Sequence, residues 1–308
     1  MHRARPLVAV VVPLLVASGC GATDDSGEGD GVTVATSFYP MEYAVEQVGG
    51  EHVEVTNLTK TGGEPHDLEL TPRQILQVSK ADHLMYLKGF QPSVDDAATE
   101  AQDAFDVSGD ARLDIAATPH EHGEEEGGHE DHEHGGHDPH FWLDPTRYAD
   151  VADGIAERLA EDDPEHAEDY RANAKHFRAR LAGLDGELRK GLADCADTDL
   201  VTGHAAFAYF ADRYGFDQES VTGLTPNAQP SPSAMADLVS HIKKEKISTV
   251  YAETLVPRDL ADTIARDSGA TVRVLDPVEG ITDASEGSDY VEVMRSNLEA
   301  VQKGQKCG

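Results

Sequence analysis

Apolar positions in the first third of the chain fall in short runs parted by amphipathic stretches. Val32 to Phe38 reads as a strand, Met41 to Val48 has helical spacing stopped by Gly49-Gly50, and Val53 to Leu58 is a second strand. Thr71-Pro72 opens a helix reaching about Lys80, and His83 to Leu87 is a strand of large apolar residues. The last third repeats the alternation. Leu200 to Thr202 is a strand, Ala205 to Tyr214 a helix ended by Gly215, and Ser220 to Thr222 a short strand. A helix over Pro232–Lys244, a strand over Ile247–Ala252, a helix over Arg258–Ser268 and a strand over Val272–Leu275 follow, with a closing helix from Asp289 to Val301. Strand alternating with helix predicts an α/β fold of two lobes, each a parallel sheet flanked by helices. Ligands are then expected at the loops after strand C-termini. The order of strands within each sheet is not readable from this pattern.

One long stripe separates the two patterns. Ala167, Tyr170, Ala174, Phe177, Leu181, Leu184, Leu188 and Leu192 recur at spacings of three and four, with Asp163 as expected N-cap and Pro164 in the first turn. A helix over 164–192 would extend roughly 42 Å at 1.5 Å per residue, enough to brace two lobes as one rigid interdomain strut. The expected organisation is therefore an N-terminal lobe over 32–163, the strut, and a C-terminal lobe over 193–308.

Ahead of this, Met1 to Arg5 is a short basic region and Leu7 to Val16 an apolar run too short to span a bilayer, so residues 1–19 read as an export signal. Ala17-Ser18-Gly19-Cys20 resembles the bacterial lipobox, although Ala17 stands where Leu is usual. The resemblance implies lipid on Cys20 and anchoring to the outer face of the cell membrane. Residues 20–31, rich in Gly, Asp and Ser, read as a flexible tether. With Cys20 assigned to lipid, Cys195 and Cys307 remain as an even pair in an oxidising setting, and a disulfide between them is expected.

Charge narrows the partners. The chain has 25 basic against 58 acidic residues, a formal charge of −33. Such a surface repels phosphate backbones and draws cations, which excludes nucleic acid as a partner. Seven of the fifteen histidines lie between His120 and His140, in a run of Gly, Glu and Asp with almost nothing apolar. That composition predicts a mobile loop over 118–138. Neutral imidazoles among carboxylates point to a divalent cation such as zinc.

Outside the acidic run, histidines stand where strands give way to loops. His66 lies in Gly62-Gly63-Glu64-Pro65-His66-Asp67, His140 in Asp138-Pro139-His140-Phe141-Trp142, and His204 in Thr202-Gly203-His204-Ala205. A fourth loop, Asp276-Pro277-Val278-Glu279-Gly280, offers two carboxylates. Four such loops, two from each expected lobe, point to one shared interlobe cation site.

On these motifs, from about Val32 to Cys307, the chain resembles the zinc and manganese solute-binding proteins of bacterial ABC importers, in their zinc (ZnuA-like) branch. The resemblance implies one zinc between the lobes and delivery to a membrane permease. By position it implies His66, His140, His204 and Glu279 as metal ligands, with Asp276 or water as the alternatives for the fourth place. A monomer is expected. One departure is Gln229-Pro230, where relatives often carry Glu-Pro. Three imidazoles with a carboxylate suit zinc over manganese on chemical grounds as well. Two other functions compete: a metal-sequestering or adhesin-type surface lipoprotein, and a zinc hydrolase. Against the hydrolase, the chain has neither a His-Glu-x-x-His nor a Gly-x-Ser-x-Gly motif, so no enzyme is expected.

Overall fold

A computed structural model describes residues 31–117 and 136–308. The expected export signal, Cys20 with its tether, and most of the histidine-rich run lie outside those residues. The first sheet is assembled from β1 (Val32–Thr36), β2 (Val53–Asn57), β3 (His83–Tyr86) and β4 (Ala104–Asp106), all parallel, in the order β2-β1-β3-β4. Its helices are α1 (Tyr39–Gly49), α2 (Pro72–Lys80), α3 (Pro92–Ala98), the one-turn α4 (Ser108–Ala111) and α5 (Pro145–Asp162). Then comes α6 (Ala167–Gly191). The second sheet uses β5 (Asp199–Thr202), β6 (Asp217–Ser220), β7 (Thr249–Ala252) and β8 (Thr271–Val274), again parallel, as β6-β5-β7-β8. Around it lie α7 (Ala208–Tyr214), α8 (Pro232–Glu245), α9 (Asp259–Ser268) and α10 (Tyr290–Gly304). The two halves thus share one topology, with the strand-order reversal beside β1 in the first sheet and beside β5 in the second.

Local chemistry sets the element ends. Thr71 and Gln74 form a reciprocal capping box at the start of α2. Asp144 caps α5, accepting from the Thr146 amide at 2.8 Å, with Pro145 in the first turn where its missing N–H costs nothing. Gly50 closes α1 with φ 57°, a left-handed value that suits a residue without Cβ.

Packing is in three layers of core. Ala35, Leu58, Val78, Leu84 and Val94 fill the space under α2 and α3. Val201, Ile242, Val250 and Ile264 do the same under α8 and α9. Between the sheets runs one continuous apolar body that includes Phe38, Trp142, Tyr148, Phe177 and Tyr290. Burying each large side chain there stabilises by about 1.5–3 kcal/mol before entropy is counted. Tyr290, from the second half, donates to the Trp142 carbonyl at 2.6 Å and packs against Tyr148, the two rings tilted with centroids 4.7 Å apart. The halves therefore share a core.

The stripe expected on the long helix is buried as read, from Tyr170 through Leu188. Its start is corrected. Asp163 is not the N-cap: it ends α5, and its carboxylate accepts from His166 Nδ1 and Tyr170 Oη, both at 2.7 Å. The helix begins at Ala167 because residues 163–166 form the tight turn between α5 and α6. The α6 helix packs along α1, α5 and α10. Asn173 donates to the Val48 carbonyl at 3.0 Å, and Gln302 to the Gly191 carbonyl at 3.1 Å. Arg213 of α7 reaches both Asp144 (3.1 Å) and Asp185 of α6 (2.6 Å), tying the second half to the cap of α5 and to the strut. Cys195 and Cys307 are joined in a disulfide, as expected.

Three further differences have physical causes. Strand β6 lies at Asp217–Ser220, upstream of the expected Ser220–Thr222. It is an edge strand paired on one side only, so polar residues suffice, and the buried Val221 lies just past its end. Helix α7 starts at Ala208 and not at Ala205, because the Ala205 amide donates to the Gly223 carbonyl at 2.9 Å. The histidine-rich run ends before Asp138, which is buried, and residues 116 and 137 pair as an antiparallel bridge at its base.

Candidate metal centre

Every loop singled out from the sequence arrives at one point. His66 follows β2, His140 lies beyond β4, His204 follows β5, and Glu279 follows β8. One ligand atom from each lies within 4.8 Å of the others. Glu279 Oε1 is 3.1 Å from His66 Nε2, 3.1 Å from His140 Nε2 and 3.3 Å from His204 Nε2. The His66 and His140 Nε2 atoms are 3.3 Å apart. Metal–ligand bonds of 2.0–2.2 Å in a tetrahedron give edges of roughly 3.3–3.6 Å, and these separations are close to the spacing that four ligands of one zinc ion require. The donors, three imidazoles and a carboxylate, fit that ion chemically.

Burial makes the cluster sensitive to charge. His140, His204 and Glu279 are fully buried, and the His66 side chain is 9 % exposed. Burial holds the His66 imidazole below its usual pKa. For His140 and His204 burial pushes the same way, but neighbouring carboxylates overcome it. Asp138 and Glu279 raise His140, and Glu253 and Glu279 carry His204 well above the ordinary range. Burial alone would raise Glu279, yet the three imidazoles around it hold its carboxyl well below the usual range.

The geometry separates Glu279 from Asp276. Asp276 is turned into its own loop, where its carboxylate accepts from the Val278 amide at 2.8 Å and from Ser285 Oγ at 2.7 Å. Asn297 grips the same loop, donating to the Asp276 carbonyl at 2.7 Å and accepting its amide at 2.9 Å. These bonds hold Val278 at φ 57°, a conformation a β-branched residue rarely adopts, and so turn Glu279 inward. Trp142 Nε1 donates to the Pro277 carbonyl at 2.8 Å, which pins the His140 loop to the Glu279 loop.

A second group, His83, Asp103 and Asp162, also places potential ligand atoms together. Arg158 Nη2 lies 2.9 Å from both carboxylates, and His83 Nδ1 lies 2.8 Å from Asp103. The Arg158 guanidinium thus already bridges the two carboxylates, and His83 faces both of them, with Nε2 at 3.5 Å from Asp162.

Sequence reasoning missed two carboxylates that touch the imidazoles. Asp138 lay within the quoted Asp-Pro-His motif but was counted into the loop; its Oδ1 is 3.0 Å from His140 Nδ1. Glu253, directly after β7, is 2.5 Å from His204 Nδ1, and nothing in Ala252-Glu253-Thr254 marks it. A cavity of about 420 Å³ opens beside the cluster, lined by His66, Asp67, Glu69, Phe90 and His137 among others.

Residues 34–304 match the family described as zinc-uptake complex component A, periplasmic (ZnuA). The chain is 32 % identical to the zinc-binding lipoprotein AdcA of Streptococcus pneumoniae serotype 4, over 95 % of its own length and 60 % of that protein's. It is 30 % identical to the high-affinity zinc uptake system protein ZnuA of Bacillus subtilis, over 96 % of both. The chain thus spans 55 to 60 % of the AdcA relatives it matches. Among solved structures, the laminin-binding protein of Streptococcus agalactiae superposes with TM-score 0.77 at 28 % identity, covering 89 % of this chain and 99 % of that one. Zn(II)-bound AdcA of S. pneumoniae superposes with TM-score 0.74 at 29 % identity, covering 89 % and 58 %.

Proposed function

Because the chain belongs to the ZnuA family of zinc-uptake complex components, we propose that it captures zinc outside the cytoplasm and hands it to the permease of an ABC importer. His66, His140, His204 and Glu279 are the ligands in this reading, zinc is cargo, and the protein acts as a monomer. One observation carries it: four side chains from four loops, two from each half, converge with their donor atoms within 4.8 Å in a buried pocket. A catalytic zinc keeps an open position for water beside three protein ligands. Here a carboxylate fills the fourth corner, which favours holding the ion over hydrolysis with it. Zinc affinity measured by chelator competition tests the assignment. Alanine at His66, His140 or His204 is expected to weaken binding by orders of magnitude, and unchanged affinity in two of the three would overturn it.

Anchoring through lipid on Cys20 belongs to the same reading. Among the described residues no helix is long and apolar enough to cross a membrane, so retention at the cell surface then rests on the acyl chains. Cys20→Ser is expected to release the protein or leave it unprocessed, and mass spectrometry of the membrane fraction reads the outcome. The histidine-rich run is assigned the part of auxiliary collector. Deleting residues 121–134, which spares the bridge between residues 116 and 137, should remove weak binding events and keep the tight one.

A surface-adhesin role is the second reading. It is favoured by the likeness to the S. agalactiae protein described as bifunctional, with adhesin and metal transporting activity. Laminin binding by wild type and by His140→Ala, side by side, separates adhesion from metal capture.

A further inference from the structure

We propose that Glu253 and Asp138 are positioning residues that fix two of the three imidazoles in the tautomer that binds metal. Gly203 is the residue that lets Glu253 reach its place. The inference rests on the ligand set proposed above. Glu253 grips His204 at two points, accepting the backbone amide at 2.7 Å through Oε1 and facing ring Nδ1 at 2.5 Å through Oε2. From the other half, Asp138 grips His140 in the same way, accepting its amide at 2.8 Å and facing Nδ1 at 3.0 Å through Oδ1. Both carboxylates are buried.

A carboxylate offers only acceptors, so the hydrogen on each imidazole is drawn to Nδ1 and the Nε2 lone pair is left for the metal. His204 Nε2 is buried with no hydrogen-bond partner and faces Glu279 at 3.3 Å. The grip also fixes ring rotation, because one carboxylate holds both the backbone and the ring of the same residue. Such outer carboxylates raise the basicity of the ligand nitrogen.

Gly203 shows how tightly the pair is fitted. A Cβ at that position would lie 2.5 Å from Glu253 Oε1. The Gly203 backbone is not left-handed, so the constraint comes from the carboxylate and not from the turn. Alanine there would drive Glu253 off His204.

The test uses the full chain, with zinc affinity read by chelator competition and ligand geometry read from the visible spectrum of the cobalt(II)-substituted protein. Glu253→Gln keeps the volume. When its single oxygen accepts the His204 amide, its NH₂ faces Nδ1 and draws the hydrogen to Nε2. We expect zinc affinity to fall about 10- to 100-fold, with the cobalt spectrum losing the signature of three imidazole ligands. Asp138 meets the His140 amide and Nδ1 through one oxygen that an Asn carbonyl would replace, so the variant from the other half is Asp138→Ala. It should weaken zinc and alter the spectrum likewise, which keeps the proposal open to failure if the Glu253 variant does not fold. Gly203→Ala should weaken zinc and alter the spectrum as Glu253→Gln does; wild-type behaviour would remove Gly203 from the proposal. Asp103→Asn is the control, since Asp103 grips His83, an imidazole outside the ligand set; it should leave affinity and spectrum unchanged. Wild-type affinity and spectrum in both Glu253→Gln and Asp138→Ala would overturn the inference. Full affinity in His204→Ala would overturn the ligand assignment beneath it, a failure distinguishable from the first.

Discussion

The two halves of the molecule share a strand order but deliver their ligands differently. In the second half His204 and Glu279 stand close to strand ends, one just past Gly203 after β5 and the other early in the long loop that joins β8 to α10. In the first half His66 lies well along the loop after β2, and His140 follows β4 only after α4 and the whole histidine-rich run. Nearness to a strand end is not enough, because Asn297 and Ser285 still brace the Glu279 loop and Glu253 holds His204. The first half reaches farther and is braced from within its own lobe as well as across the cleft: Gln91 donates to the Pro65 carbonyl at 3.0 Å, Glu64 accepts the His66 amide at 3.0 Å, and Trp142 ties the His140 loop to Pro277. A parallel sheet presents its strand C-termini as a ready rim, but the rim is precise only where the loops leaving it are short or tied down.

The sharpest way to break this comparison is within one loop of the second half. Glu279→Ala should lower zinc affinity by about 100-fold or more, because it removes the one anionic donor from a buried site. Asp276→Ala should cost mainly thermal stability, since its carboxylate braces the loop. Equal losses of affinity would mean that loop shape and ligand identity are not separable there. Next in size is the disulfide. It closes a separation of 112 residues, and replacing both Cys195 and Cys307 with Ser should cost up to about 4–5 kcal/mol in denaturant unfolding while zinc affinity stays as in wild type.

Ligation itself should stabilise. At free zinc 100-fold above the dissociation constant, unfolding should become harder by about 2.7 kcal/mol, and adding a chelator should abolish the gain. A thermal shift that survives in Glu279→Ala would indicate stabilisation through other sites. Trp142→Phe tests the brace between the halves. It strands the buried Pro277 carbonyl and should cost about 1–3 kcal/mol of stability, with a smaller effect on affinity than loss of a ligand. The smallest effect concerns the start of α6. Asp163 raises the pKa of His166 through a hydrogen bond. Since the folded value lies above the unfolded one, this stabilisation is full below about pH 6.5 and fades as pH rises through the raised value. His166→Asn should therefore be slightly less stable than wild type near pH 5.5 and indistinguishable near pH 9, as read by thermal melts at both.

Much of the fold was legible because periodicity reports burial. The stripe of α6 stood out, and the expected strands β1, β2, β3, β5, β7 and β8 all appear within a residue or two of their observed ends. Helix α5 is not among the expected elements although its signals are present: Asp144-Pro145 is a helix start, and Tyr148, Val151, Ile155 and Leu159 recur at spacings of three and four on its buried face. Strand β4, three residues long, is too short for any period to show. Strand β6 was displaced because an edge strand is held by hydrogen bonds from one neighbour and not by a two-sided apolar face.

What the sequence determined by itself was the inventory: alternating strands and helices, a bracing helix, a cysteine pair, and four loops carrying donors of the right chemistry. These are local or compositional properties, and each is written in a few adjacent residues. The tertiary structure alone placed Glu279 against the imidazoles and turned Asp276 into its own loop, because that placement depends on Asn297 and Ser285 gripping a loop they are remote from or only near in sequence. It alone showed Glu253 beneath His204 and set His83, which faces Asp103 and Asp162, apart from the histidines that meet in the cleft. A side chain's neighbours across the core are set by how sheets and helices pack in three dimensions, and no spacing along the chain encodes that distance.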